Sequence, residues 1–332
     1  MLISECVIQV DSVSRCYSTK ETRKGFKGLF QDLIRPNKRE ITALHDVNFE
    51  VLKGEIIAYI GPNGAGKSTT IKLLCGVIPA TTGKISVLGI DPFTNRKSIT
   101  KRIGMMVGQK TRLFWNISVY ESFLLYSKVF GLSTNQFEEK LADVDSSLGL
   151  HNLFKRQVRT LSLGERTKCE LFLSILHSPE IIFLDEPTIG VDISTRHRIR
   201  EYLLKLRNEL NTTIFLTSHD VADIDAVADK VILLDRGNLL FHGSKEHFRR
   251  TYGTGDRVIE IKLDQPCDLS FLNEQSKSGI LIDQNDTHIR IIVSSEFNLN
   301  DVLKQISNVC VPSSITVNEE SLESILRKTY DS

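Results

Sequence analysis

The sequence predicts an α/β protein, a parallel sheet wound with helices, followed by a smaller α/β domain. Three observations predict it. Short, wholly apolar runs at Ile56–Ile60, Ile181–Leu184 and Ile214–Leu216 each end in a polar or glycine-rich loop, as strands buried on both faces do. Helical spacing separates them, as at Ile199, Leu203, Leu204 and Leu206 within Arg196–Leu210. Past Thr251–Gly255 the pattern turns to short alternating segments. Strand–loop–helix units repeated in one chain give a parallel sheet whose ligands collect at the strands' carboxyl ends.

The first run leads into GPNGAGKST, Gly61 to Thr69, and then into the helical stretch Thr70–Cys75. This matches G-x-x-x-x-G-K-[ST] in the strand-to-helix context that the motif needs. Gly61, Gly64 and Gly66 let the backbone curl so that its N–H groups face phosphate, and the helix N-terminus adds its positive end. Asn63, Ala65 and Thr69 complete the expected nucleotide-binding loop. Lys67 is placed to reach the β- and γ-phosphates, and the Ser68 hydroxyl to ligate Mg²⁺. Asn37-Lys38-Arg39-Glu40 superficially resembles a guanine-reading box. It precedes the phosphate loop and ends in Glu, so the expected nucleotide is ATP.

The second run ends in LDEPT, with Asp185 and Glu186 at the strand end. An Asp there can hold Mg²⁺ beside the phosphate loop, and the adjacent Glu can orient and polarise the attacking water. The third run ends in TSHD, which brings His219 to the same edge if the two strands are neighbours.

These residues resemble those of an ABC transporter ATPase over roughly Leu2 to Gly243. The deciding element is LSLGER, Leu161 to Arg166, which resembles the ABC signature. The resemblance implies a RecA-like phosphate-loop ATPase core with an antiparallel β subdomain and a helical subdomain. It implies that Ser162 and the Gly164 backbone complete the site on the opposite protomer, so that the active unit is a homodimer enclosing ATP. By the same resemblance Tyr17 stacks on adenine, and Gln109 senses Mg²⁺ and the γ-phosphate. Asp192 is then the D-loop aspartate at the dimer seam, and His219 the switch histidine. The chain departs from the usual signature at Leu163 and Glu165, where a glycine and a glutamine are common.

About twenty extra residues separate Tyr17 from Ile41. Between Lys20 and Glu40 there are seven Lys/Arg and three Asp/Glu. Phe26, Leu29, Phe30, Leu33 and Ile34 fall on helical spacing, which predicts a basic amphipathic helix. Such a helix suits either packing on its own domain or contact with anionic lipid or a membrane partner. The stretch Arg112–Leu132 is aromatic-rich, and in the family this region receives the permease. Phe114 and Trp115 are the residues expected to face it.

The pattern as a whole resembles ATP-binding subunits of ABC-2-type exporters, and most closely those that serve two distinct permease chains. The expected domains are 1–250, with the insertion at about 20–40 and the helical subdomain at about 110–175, and 251–332. In the second domain RVIEIKL (Arg257–Leu263) and Ile289–Val293 read as strands. Leu299, Leu303 and Ile306 read as one helix, and Leu322, Ile325 and Leu326 as another.

Composition agrees with a peripheral ATPase. The chain is 41% hydrophobic and 25% charged with a net charge of +1, which gives no basic field for nucleic acid. No stretch reaches the roughly eighteen uncharged apolar residues of a membrane span, and Glu5 and Asp11 interrupt any secretory leader. The expectation is a cytoplasmic protein on the inner face of the membrane. Six cysteines without a CxxC pair predict buried, reduced thiols rather than a zinc site. Importers share every catalytic residue, so transport direction rests on subfamily resemblance. A non-transport ABC ATPase is the other alternative. It is disfavoured by the single cassette and by the lack of a coiled coil between Lys67 and Asp185.

Overall fold

The computed structural model describes residues 5–21, 37–108, 111–218, 220–263, 280–284, 288–294, 298–309 and 312–331. The helix expected over Phe26–Ile34 lies outside the described residues, as do Gln109 and His219. The chain divides into two compact units, Met1–Gly243 and Ser244–Ser332. The division precedes the expected boundary at 250/251 because Ser244 caps the helix Lys245–Tyr252, which packs on the final helix of the second unit.

In chain order the first unit opens with strands β1 (Cys6–Glu21), β2 (Asn37–Leu52) and β3 (Ile56–Ile60), then helix α1 (Lys67–Leu74). There follow β4 (Thr82–Val87), β5 (Ile103–Val107), α2 (Val119–Val129), α3 (Thr134–Leu148) and α4 (Leu163–Ile175). Last come β6 (Ile181–Asp185), α5 (Ile193–Leu210), β7 (Thr213–Thr217), α6 (Val221–Val227), β8 (Lys230–Asp235) and β9 (Asn238–Ser244).

Two sheets form. One is six-stranded in the order β5-β6-β7-β3-β8-β9, with every pair from β5 to β8 parallel. The other is antiparallel, in the order β2-β1-β4. Alternation along the parallel strands explains their continuous apolar character. Ile56, Ile182, Leu184, Ile214 and Leu216 join one core with α2 to α5, while Ile57, Tyr59, Ile181, Phe183 and Phe215 join another with the antiparallel sheet. The helical side is held by Phe123 on α2 against Phe172 on α4, edge to face at 4.7 Å, a favoured aromatic geometry.

The β1–β2 pairing runs out to Glu21↔Asn37. The flanks of the insertion are therefore strand and not helix, since the long hairpin satisfies their backbone groups. Of the described cysteines, Cys75 and Cys169 are buried, but Cys6 is exposed and Cys16 half-buried, because both of these sit on the antiparallel sheet.

The second unit contains α7 (Lys245–Tyr252), β10 (Arg257–Leu263), β11 (Ile280–Gln284), β12 (His288–Val293), α8 (Leu299–Val309), β13 (Pro312–Glu319) and α9 (Leu322–Asp331). Its antiparallel sheet has the order β11-β12-β10-β13. Ile259, Ile261, Ile289 and Ile291 on one face pack with Val302 and Ile306 of α8. The buried Glu320 carboxylate accepts from Thr254 N at 3.1 Å and Ser324 Oγ at 2.9 Å and pairs with Lys328 at 2.7 Å, so the charge is compensated where it is buried.

Candidate functional site

The loop Gly61–Gly66 joins the buried strand β3 to α1. Gly66 has φ +111° and Gly64 φ +83°, in the left-handed region that glycine reaches without strain. A Cβ on Gly66 would also lie 2.7 Å from Ala43 O and 2.7 Å from Leu44 Cδ2. Gly66 is the N-cap of α1 and supplies no side-chain cap, which leaves the first-turn N–H groups for an anion. Tyr59 OH and Thr70 Oγ1 share a hydrogen bond of 2.9 Å in the core and anchor that first turn.

Lys67 is 7% exposed. Its Nζ donates to Gly61 O at 2.5 Å and Pro62 O at 3.1 Å, carbonyls of the loop itself. Burial lowers its pKa, against the pull of the Glu186 and Asp185 carboxylates. The ammonium therefore stands among groups that an incoming polyphosphate can replace.

The register of the parallel strands gathers the acidic residues. Val107 pairs with Asp185, and Asp185 with Thr217, so β5, β6 and β7 end level. Asp185 Oδ1 accepts from Thr217 Oγ1 at 2.7 Å, and its Oδ2 accepts from Ser68 Oγ at 3.3 Å. Ser68 on α1 and Asp185 on β6 thus present oxygens to one spot, a donor set suited to Mg²⁺, which favours carboxylate and hydroxyl oxygen. Among the described residues no group of three or more His, Cys, Asp or Glu could hold a metal by itself.

Glu186 follows with φ +53°, a strained backbone for a residue with a Cβ. Its N–H donates to Thr217 O and Thr217 Oγ1, both at 3.1 Å. Thr217, fully buried, therefore fixes both acidic residues. Sequence reasoning passed over it. Its only signal was its place beside His219 in TSHD. Beyond Glu186, buried Asp223 on α6 accepts from Thr188 Oγ1 and pairs with Arg200 on α5. Gly108, at the end of β5, has φ +40° and donates its N–H to Asp185 O at 3.0 Å.

Tyr17 pairs with Ile41 across β1 and β2, two residues from the Ala43 carbonyl that abuts Gly66. The Arg15 guanidinium lies 4.6 Å over its ring.

Ser162 is the N-cap of α4 and forms a capping box with Glu165, accepting from Glu165 N at 3.2 Å and donating its own N–H to Glu165 Oε2 at 2.8 Å. Arg156 holds the same carboxylate at 2.6 Å. Glu165 is thus the acid that a capping box wants at N3. Leu163 also has a local reason, because a Cβ on Gly190 would lie 2.7 Å from its Cδ2. A Cβ on Gly164 would sit 3.4 Å from Asp192 Oδ2. The Asp192 carboxylate caps α5, and Thr195 N (3.0 Å) with the Ser194 and Thr195 hydroxyls holds its pKa well below the usual carboxylate range. Gly164 and Asp192 therefore lie side by side. Ile189 and, at 86%, Ile193 are exposed. Among the described residues neither Ser162 nor Gly164 bonds to the phosphate loop of the same chain.

The comparisons with known proteins agree. The ABC transporter family profile matches residues 44–189. The ABC transporter ATP-binding protein NatA of Bacillus subtilis (strain 168) is 30% identical over 217 residues, covering 65% of this chain and 86% of NatA. The chain belongs to the ABC transporter ATP-binding proteins. The bacitracin transport ATP-binding protein BcrA of Bacillus licheniformis is 31% identical to this ABC protein over 243 residues, covering 73% of this chain and 74% of BcrA. A solved ATP-binding subunit of an ABC transporter superposes with TM-score 0.63 at 24% identity, covering 74% of this chain and 93% of its own. A dimeric ATP-binding cassette in a post-hydrolysis state with ADP and Pi has TM-score 0.59 at 21% identity, covering 71% and 98%. At these identities the two structures establish the shared RecA-like fold. The ABC protein is accordingly an ATP hydrolase that serves a transporter.

Proposed function

We propose that two copies of this chain close head to tail around two ATP molecules, each phosphate loop facing the other copy's Ser162 and Gly164, and that closure powers export through separate ABC-2-type permease chains. The observation that carries this reading is the divided site. Ser68 and Asp185 are hydrogen-bonded beside Lys67 and Glu186, whereas Ser162 and Gly164 sit with Glu165 and Asp192 near the exposed Ile193. An apolar residue as exposed as Ile193 at the start of α5, with exposed Ile189 nearby in sequence, suits burial by a partner.

Within each site the loop Gly61–Thr69 wraps the phosphates, Lys67 neutralises the β- and γ-phosphates, and Tyr17 stacks on adenine. Ser68, Asp185 and Gln109 would hold Mg²⁺, which would supply charge neutralisation at the phosphates. Glu186 orients the attacking water, with its backbone fixed by Thr217 as described. His219 contacts the γ-phosphate, and Asp192 lies at the seam.

Phe114 and Trp115, 48% and 49% exposed, form the ledge that meets the permease. Among the described residues no helix is long and apolar enough to cross a membrane. In this reading the channel belongs to separate permease chains, and the protein works on their cytoplasmic side. BcrA's name, which specifies bacitracin transport, supports a transported substrate. The test is affinity capture of the tagged chain from detergent-solubilised native membranes. Co-purification of one or two multi-span proteins supports the reading. Recovery with ribosomal or DNA-processing proteins, and no membrane chain, refutes the transport role.

A further inference from the structure

Helix α4 begins at the signature, and deeper along it lies a carboxylate that the nucleotide site does not use. Glu170 is 4% exposed. Its Oε1 accepts from Thr111 Oγ1 at 2.6 Å, Arg112 N at 2.7 Å and Leu113 N at 3.2 Å, and its Oε2 accepts from Arg112 Nε at 3.2 Å. Arg112 Nη2 donates to the Glu170 carbonyl at 3.3 Å. A buried carboxylate is costly unless its lone pairs are filled, and here one short segment fills them, with two backbone N–H groups and two side-chain donors.

One helical turn earlier, Arg166 sits 5.5 Å over the Trp115 ring. Residues four apart share a helix face, so Arg166 and Glu170 grip the same stretch, Thr111 to Trp115, at two points. The segment is tied to α2 as well, since Tyr126 OH donates to Arg112 O at 2.9 Å and Phe114 N donates to Ser122 Oγ at 3.2 Å. Its far end is the exposed Phe114–Trp115 ledge.

We infer that Glu170 is a positioning residue that locks Thr111–Trp115 to the signature helix, so that engagement of the signature with nucleotide is transmitted to the Trp115 ledge through a rigid joint. The inference rests on the nucleotide site proposed above. It adds a mechanical link that the signature motif alone does not supply. Gln in place of Glu170 would turn an amide N–H₂ or a single carbonyl toward four donors, which breaks the joint while keeping the volume.

Trp115 is the only tryptophan in the chain, so its fluorescence reports on the ledge without a label. The experiment uses the full chain and a non-hydrolysable ATP analogue with Mg²⁺. Binding is measured by calorimetry and the ledge by Trp115 emission. In the parent, binding is expected to change the emission. In Glu170→Gln, the analogue is expected to bind within about threefold of the parent affinity, while the Trp115 response falls to less than about half and kcat falls about tenfold at little-changed KM. A purely structural loss would weaken binding and folding together and leave no such split.

The inference is overturned if Glu170→Gln keeps the full Trp115 response, or if the parent binds the analogue with no change in emission. Failure of the parent to bind the analogue would instead overturn the site assignment and the joint with it. If Glu170→Gln does not fold, Thr111→Val, which removes only the 2.6 Å hydroxyl bond, decides. A response equal to the parent's would then refute the joint, and a reduced one would support it.

Discussion

At the scale of single residues, burial works against the Lys67 charge and the Asp185–Glu186 pair works for it. The ammonium is buried on loop carbonyls and its charge is favoured by both acids. In the proposed site, nucleotide phosphate takes the place of those carbonyls. Lys67→Ala is therefore expected to lower ATP affinity by about tenfold or more, read by calorimetry, with the fold retained, since one charge-assisted contact is worth that much. Gly66→Ala should be as damaging by another route. Its φ of +111° and the approach of Ala43 O to 2.7 Å leave no room for a methyl group without moving the loop. Loss of ATP binding with an unchanged circular-dichroism spectrum would check this. The chemistry of both positions was readable from GPNGAGKST because each residue type there answers a steric or electrostatic demand. Thr217 was not readable. A threonine ending an apolar strand has no distinctive pattern, and its task of holding Asp185 and Glu186 exists only once β6 and β7 are in register.

At the scale of elements, the strands β3, β6 and β7 and helix α5 lie where periodicity placed them. Both faces of those strands are covered, so the apolar run is unbroken and the pattern is strong. The antiparallel strands β1 and β2 carried a weaker pattern. Register shifts at Val10/Val13 and Val13/Arg15, with Ser12 at φ +50°, break the two-residue alternation that would have marked one long strand. The signature's two departures also became legible only with the elements assembled. Glu165 completes the cap of α4, and Leu163 packs against Gly190, neither of which the LSLGER string reveals. At this scale Phe172→Ala should cost about 3–5 kcal/mol of stability by urea unfolding, because it empties the α2–α4 contact in a fully closed core.

At the scale of the molecule, each unit has its own hydrophobic core, Phe123 and Phe215 lying in those of the first and Ile259 and Ile306 in that of the second. A chain ending at Gly243 is thus expected to bind ATP with unchanged affinity, and a loss of binding would assign the second unit a part in the nucleotide site. The sequence announced the second unit through RVIEIKL and its two amphipathic helices. Strands β11 and β13 went unseen, since β13 is an edge strand of mostly exposed residues with no alternation to find.

The larger claim is that one chain carries two half-sites that become whole only in a pair. The measurement that tests it most directly is light scattering coupled to size exclusion on Glu186→Gln, with and without ATP and Mg²⁺. Without nucleotide a monomer is expected. With ATP a stable dimer is expected, lost again when Ser162→Phe blocks the signature, with hydrolysis slowed by on the order of a hundredfold through loss of the proposed water-orienting carboxylate. A Glu186→Gln protein that binds ATP tightly and stays monomeric would contradict the divided site, and with it the mechanism proposed for this chain.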